Sequence, residues 1–225
     1  YQRYYAPVNA VALAVGDFES GRMLAAIEEH FGAIPPGEAI ADPMVEEPRQ
    51  QAERRVEVRG AEPTPRLVYA YPAPPAAHPD FVPLTVLDTI LGGAKGLPTF
   101  SSRGNARTSR LYERFVDSGL ALSASSGLVA TRDPYLFQIA VTALPGRDRG
   151  ELERVLEAEV ARLRDTPLTD AVLDRAKKQT RARLALGLES VSSLARGYGL
   201  ASIVADPGWI EGFLGRVEGV TSAEV

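Results

Sequence analysis

Two apolar runs, Gly119–Val129 and Tyr135–Leu144, stand on either side of the short turn Thr131-Arg132-Asp133-Pro134. This constrains the chain more than any other feature. A connection of a few residues joins antiparallel neighbours, because a parallel crossover needs roughly a dozen residues or more. Proline suits the turn and has no N–H to give a ladder, so the connection also marks where each strand stops. A doubly wound parallel sheet is thereby disfavoured, and an antiparallel pair is expected at the centre of the fold.

The remaining segments are read against that hairpin. Asn9–Val15 is a short apolar run closed by Gly16-Asp17 and is expected to be a buried strand. An amphipathic helix should follow, capped by Asp17 or Ser20, with Met23, Leu24, Ile27 and Phe31 on one face. Pro35–Gln51 carries prolines and acids without periodicity and is expected to be an exposed connection. Arg54–Arg59 alternates as a strand with one wet face, and Arg66–Pro72 is expected to pair with it. Helical spacing returns at Phe81, Leu84, Leu87, Ile90 and Leu91, ending at Gly92-Gly93. The segment Ala94–Thr108 is rich in Gly, Ser and cations and is expected to be a mobile loop, with a short helix resuming over Ser109–Val116. Three more helices are expected, along the Leu152, Leu156, Val160, Leu163 stripe, over Asp170–Leu188, and over Val191–Val204. The fold class is therefore α+β: a mixed, mostly antiparallel sheet with helices packed mainly on one face. Residues 1–205 are expected to form the domain, with Val11, Leu13, Val15, Leu67, Val68, Ile139 and Val141 in its core. Residues 206–225 are expected to be a connection toward a further unit, with Thr221 to Glu224 resembling the beginning of another helix.

Composition narrows the chemistry. The chain has 225 residues, 45% hydrophobic and 24% charged, as a globular protein does. Its 25 basic and 29 acidic side chains leave a net charge of -4 without a basic block, which argues against nucleic acid as a partner. The longest apolar stretch falls far short of the ~20 residues that cross a bilayer. Zero cysteines exclude disulfides, thiolate metal sites and cysteine nucleophiles. Of the two histidines, His30 lies late in the first helix and His78 precedes a helix; neither has an imidazole one helical turn away to share a metal. Glu28-Glu29, Glu46-Glu47 and the Glu151, Glu153, Glu157, Glu159 set are read as solvated charge on helices and linker. The glycine-rich stretch at 92–110 lacks the phosphate-loop pattern and follows a helix, so a nucleotide site is not expected.

Four segments together resemble one family. Tyr1–Phe18 followed by Glu28–Pro35 is similar to the opening of the second domain of pitrilysin/insulinase-like zinc peptidases, relatives of the mitochondrial processing peptidases. LDTILGG (Leu87–Gly93), SRLYERFVDSGLALSAS (Ser109–Ser125) and LTDAVLDRAKKQTRARLAL (Leu168–Leu186) resemble later parts of that domain in the same order. The resemblance implies a processing-peptidase-like, metallohydrolase-type α+β domain. It pairs with a homologous domain or subunit carrying an inverted HxxEH zinc motif, within one chain or as a homo- or heterodimer. Zinc would belong to that partner, where it activates water with the motif's Glu as base. The implied function is that of a non-catalytic domain of a zinc-dependent metalloendopeptidase, part of the wall of a chamber enclosing a peptide substrate, in a bacterial cytoplasm or periplasm. The alternative is a domain of a catalytically inactive homologue acting as scaffold or partner subunit.

Two departures from the family pattern are visible. An Arg and a Tyr often flank the GLAY stretch after SRLY, whereas Val116 and Leu122 stand nearest here, so that substrate-binding role does not carry over. The Ala94–Thr108 insertion is similar to the glycine-rich loop of the processing peptidases' non-catalytic subunit. Lys95, Arg103 and Arg107 are its candidate substrate-binding cations, with no acid between them. With two separated histidines and no cysteine, the isolated chain should hold no stoichiometric zinc. Metal analysis after chelation and reconstitution should read near zero; one tight equivalent lost on His30→Ala or His78→Ala would refute this.

Overall fold

The computed structural model describes residues 4–41, 47–60, 64–96 and 107–225. Contacts divide the chain into two compact units, residues 1–61 and 62–225.

Among the described residues of the first unit one α-helix forms, α1 (Ser20–Phe31). Its N-cap is Glu19, not Asp17 or Ser20: the carboxylate accepts from the backbone N–H of Gly21 at 2.9 Å and of Arg22 at 2.7 Å. These two bonds hold the Glu19 carboxyl below its ordinary pKa. The expected strands over Asn9–Val15 and Arg54–Arg59 do not form. Pro7–Asn9 is a 3₁₀ turn, with Val8 N–H bonded to the Pro36 carbonyl, and neither segment enters a ladder among the described residues. Val11 and Leu13, expected in the core, are exposed, as are Val56 and Val58. Apolar patterning creates a strand only where a neighbouring strand pairs with its backbone, and among the described residues none pairs with either segment.

The second unit holds the core. Among the described residues its sheet has three strands, β1 (Arg66–Ala73), β2 (Ala121–Gly127) and β3 (Tyr135–Ala143), in the order β1-β3-β2, all antiparallel. The expected hairpin is β2–β3. The partner of β1 is β3, not Arg54–Arg59, with Leu67 opposite Val141 and Tyr69 opposite Ile139. This register places Leu67, Tyr69, Phe137, Ile139, Val141, Ala124 and Ser126 on one face; all are buried or half-buried. Val68, Ala70 and Gln138 alternate onto the other face and are exposed. Val68 is therefore not a core residue, because a period of two sends it away from Leu67 and Tyr69. Helix contacts fall on the buried face, as expected of an α+β layer.

The helices of this unit are α2 (Phe81–Gly92), α3 (Arg149–Asp165), α4 (Asp170–Gly187), α5 (Val191–Val204) and α6 (Gly208–Gly219). Pro83 sits in the first turn of α2, where its missing N–H breaks no bond. The short helix after Ser109 is π-wound over Tyr112–Asp117 and buries Phe115. Asp206–Val225, expected as a connection, supplies α6 to the core: Trp209, Ile210, Phe213 and Val217 are all buried. Trp209 meets Phe213 edge-on at 5.1 Å and Phe81 at 6.1 Å, and its indole N–H donates to the Ala76 carbonyl at 2.8 Å. After α6, Glu224 accepts from both the N–H and the hydroxyl of Thr221.

Trp209→Ala should cost about 3–5 kcal/mol, and Trp209→Phe less, losing the indole bond but keeping most of the packing. Urea unfolding followed by circular dichroism measures both. Equal, small losses would show that α6 is not part of the cooperative core.

Candidate functional site

The candidate site grows from the end of α2, where the sequence reads Leu87-Asp88-Thr89-Ile90-Leu91-Gly92-Gly93. Thr89 is buried and pairs its hydroxyl with that of Thr180 on α4 at 2.8 Å, fixing the helix from one side. On the other side α2 lies almost against β2. A Cβ placed on Gly92 would stand 2.4 Å from Ser126 Oγ and 2.9 Å from Ser126 N, so only glycine fits there. Gly93, at φ 90°, then turns the chain out of the helix in a conformation that other residues rarely adopt.

The close approach brings three polar groups together. Ser126 Oγ donates to Asp88 Oδ1 at 2.5 Å, and Lys95 Nζ donates to Asp88 Oδ2 at 2.5 Å and to the Ser126 carbonyl at 2.9 Å. The side chains of Lys95 and Asp88 are only 7% and 8% exposed. The sequence placed Lys95 among three candidate substrate-binding cations; the fold folds it inward onto Asp88, so its ammonium holds the segment rather than facing solvent. Arg107 is exposed on the turn before Ser109, whose hydroxyl accepts from Tyr112 N at 3.3 Å. Arg103 and the body of the expected mobile loop lie outside the described residues. Beside the segment, Thr89, Gly93, Thr108, Arg175 and Gln179 line a shallow pocket with room for about one water molecule.

The Asp88–Lys95–Ser126 cluster was not foreseen. The one available signal was a lone aspartate in an otherwise apolar helix, followed seven residues later by a lysine in a chain with three lysines. Leu122, the position nearest the family's tyrosine, is exposed at a bulge of β2.

Neither histidine joins a metal-binding arrangement. His30 is in the last turn of α1, and His78 Nδ1 accepts from Asp80 N at 3.2 Å. Among the described residues no three His, Asp or Glu side chains cluster as metal ligands, so the residues present do not fit the zinc that the family implies. No described helix is long and apolar enough to cross a membrane.

The family model for the peptidase M16 inactive domain matches residues 1–180. The chain belongs to this family. The zinc protease PqqE of Helicobacter pylori is 28% identical over 196 residues, which is 85% of this chain and 41% of that protein. The crystal structure of a protease from Helicobacter pylori has the same fold, with a TM-score of 0.88 at 24% identity, covering 99% of this chain and 52% of that one. The M16 inactive domain from Pseudomonas fluorescens also shares it, with a TM-score of 0.72 at 20% identity over 93% of this chain and 47% of that one. The chain thus spans about half the length of these relatives or less. The family match ends within α4, so α5 and α6, which close the core here, lie beyond it.

Lys95→Met leaves the Asp88 carboxylate buried without its cation and should cost about 3–5 kcal/mol. Adding Asp88→Leu should recover most of that loss, because the Ser126 hydroxyl retains the Asp88 carbonyl at 3.4 Å as acceptor. A double-mutant cycle in urea measures the coupling; additive losses would show that the two charges do not depend on each other.

Proposed function

We propose that this M16 inactive domain is the non-catalytic part of a zinc-dependent metalloendopeptidase and forms part of the wall of a chamber around a peptide substrate. A homologous domain or subunit supplies HxxEH and the zinc. The observation that carries this reading is the pairing of family membership over residues 1–180 with a ligand inventory that does not fit zinc. A domain that keeps the family's core without its metal ligands contributes shape, burial and substrate contact to the pair.

Within this reading the Ala94–Thr108 segment captures peptide. Lys95 fixes where the segment leaves α2, and Arg107, with Arg103, offers guanidinium forks to carboxylates of the bound peptide. Because such contacts form with bound peptide before any bond breaks, they act on ground-state binding.

The first test is the complete coding sequence, which should encode HxxEH in a homologous domain or in a neighbouring gene. A homologous domain lacking a ligand would make the protein an inactive scaffold or partner subunit. In the active protein, Arg103→Gln with Arg107→Gln should raise KM for an acidic peptide about tenfold and leave kcat nearly unchanged. Unchanged constants would remove these arginines from substrate capture.

A further inference from the structure

Three guanidinium groups converge on one buried carboxylate away from the Asp88 cluster. Glu159, on α3, is 3% exposed. Arg162, one turn further along α3, holds it with two bonds, Nε to Oε2 at 3.2 Å and Nη2 to Oε1 at 2.9 Å. Arg110 and Arg114 approach from the Ser109–Asp117 segment, but only at 3.6 and 3.4 Å. Both contacts are longer than the two that Arg162 makes. Glu159 faces all three arginines, and Glu113 is felt at Arg162 as well.

Arg110 feels both its burial and its neighbours. Its pKa is lowered from the ordinary arginine value, first by burial and then by the positive charge of Arg162, and these outweigh Glu159. Arg162 moves the other way because its hydrogen bonds to Glu159 come first. Glu159 is thus satisfied mainly by Arg162. Arg110 and Arg114, whose side chains are 20% and 51% exposed, keep most of their N–H donors for something else.

We propose that Arg110 and Arg114, about one turn apart and held in place by the Glu159–Arg162 pair, form a binding fork for an oxyanion, the carboxylate or phosphoryl group of a ligand. The planar fork of donors on each side chain matches two oxygens of such a group. Glu159 positions the arginines without saturating them, which is the role of a buried counter-ion behind a recognition site. The site is independent of the proposed peptide chamber and stands or falls apart from it.

Calorimetric titration of the chain at constant ionic strength in chloride tests the fork, with inorganic phosphate, N-acetyl-dialanine and the amide of that peptide as separate probes. Saturable binding of phosphate alone assigns a phosphoryl ligand; binding of the peptide acid but not its amide assigns a carboxylate. Arg110→Gln with Arg114→Gln should weaken that binding about tenfold or more, with the circular dichroism spectrum unchanged. Arg114→Gln alone, at the more exposed position, should weaken it measurably and serves if the double variant fails to fold. No saturable binding of phosphate or peptide acid above the chloride background overturns the proposal, and so does undiminished binding by a folded arginine variant.

Discussion

The contact on which the second unit depends is the approach of α2 to β2 at Gly92 and Ser126. Here helix and sheet stand too close for any side chain, and the polar groups that this closeness buries must be satisfied locally. Asp88 accepts from Ser126 and Lys95, and Lys95 also bonds the Ser126 carbonyl. No side-chain nitrogen or oxygen that is fully buried among the described residues lacks a partner. The same ion pair sets the direction in which the chain leaves the helix. Helix packing and the path of the chain from Gly93 to Gly96 are consequently one problem with one solution.

The same contact accounts for the composition of LDTILGG, one of the segments that resemble the family. Each polar or small residue in it answers to a contact: Asp88 to Lys95, Thr89 to Thr180, Gly92 to Ser126, and Gly93 to a turn at positive φ. None of these contacts involves a metal. A domain of this family can therefore lack zinc ligands without weakening its core, which rests on packing and on these buried polar pairs.

What was legible in the sequence was whatever depends on local pattern. Helical spacing located α2, α3, α4 and α5 to within a few residues, and turn chemistry located the β2–β3 hairpin, because period and proline act over a few neighbours. What depends on partners was not legible. Asn9–Val15 and Arg54–Arg59 have strand composition, but a strand is made by the backbone beside it. Val68 has strand composition too, yet sits on the open face because the register is set by Leu67 and Tyr69 meeting Val141 and Ile139. Helix α6 was missed because its core residues, Trp209, Ile210, Phe213 and Val217, are spread among four glycines from Gly208 to Gly219 and depressed by their low helix propensity. Packing against Phe81 overrides that propensity.

The charged residues show the same limit most sharply. Glu151, Glu153, Glu157 and Glu159 look alike in sequence, yet Glu157 takes the Tyr69 hydroxyl at 3.0 Å near the surface while Glu159 is buried among arginines. Two positions along a helix are about 200° apart, so alternate glutamates face opposite environments. Likewise Lys95 and Arg107 look equivalent as loop cations, but one is folded onto Asp88 and the other is left outside. Burying a charge is tolerable only where a counter-charge is already waiting. Asp88 is that counter-charge for Lys95, and Arg162 is its equivalent for Glu159. Among the described residues Arg107, Arg110 and Arg114 have no counter-charge held as tightly, and part of each side chain stays open to solvent, so their remaining donors are met by water or by a ligand rather than by the fold.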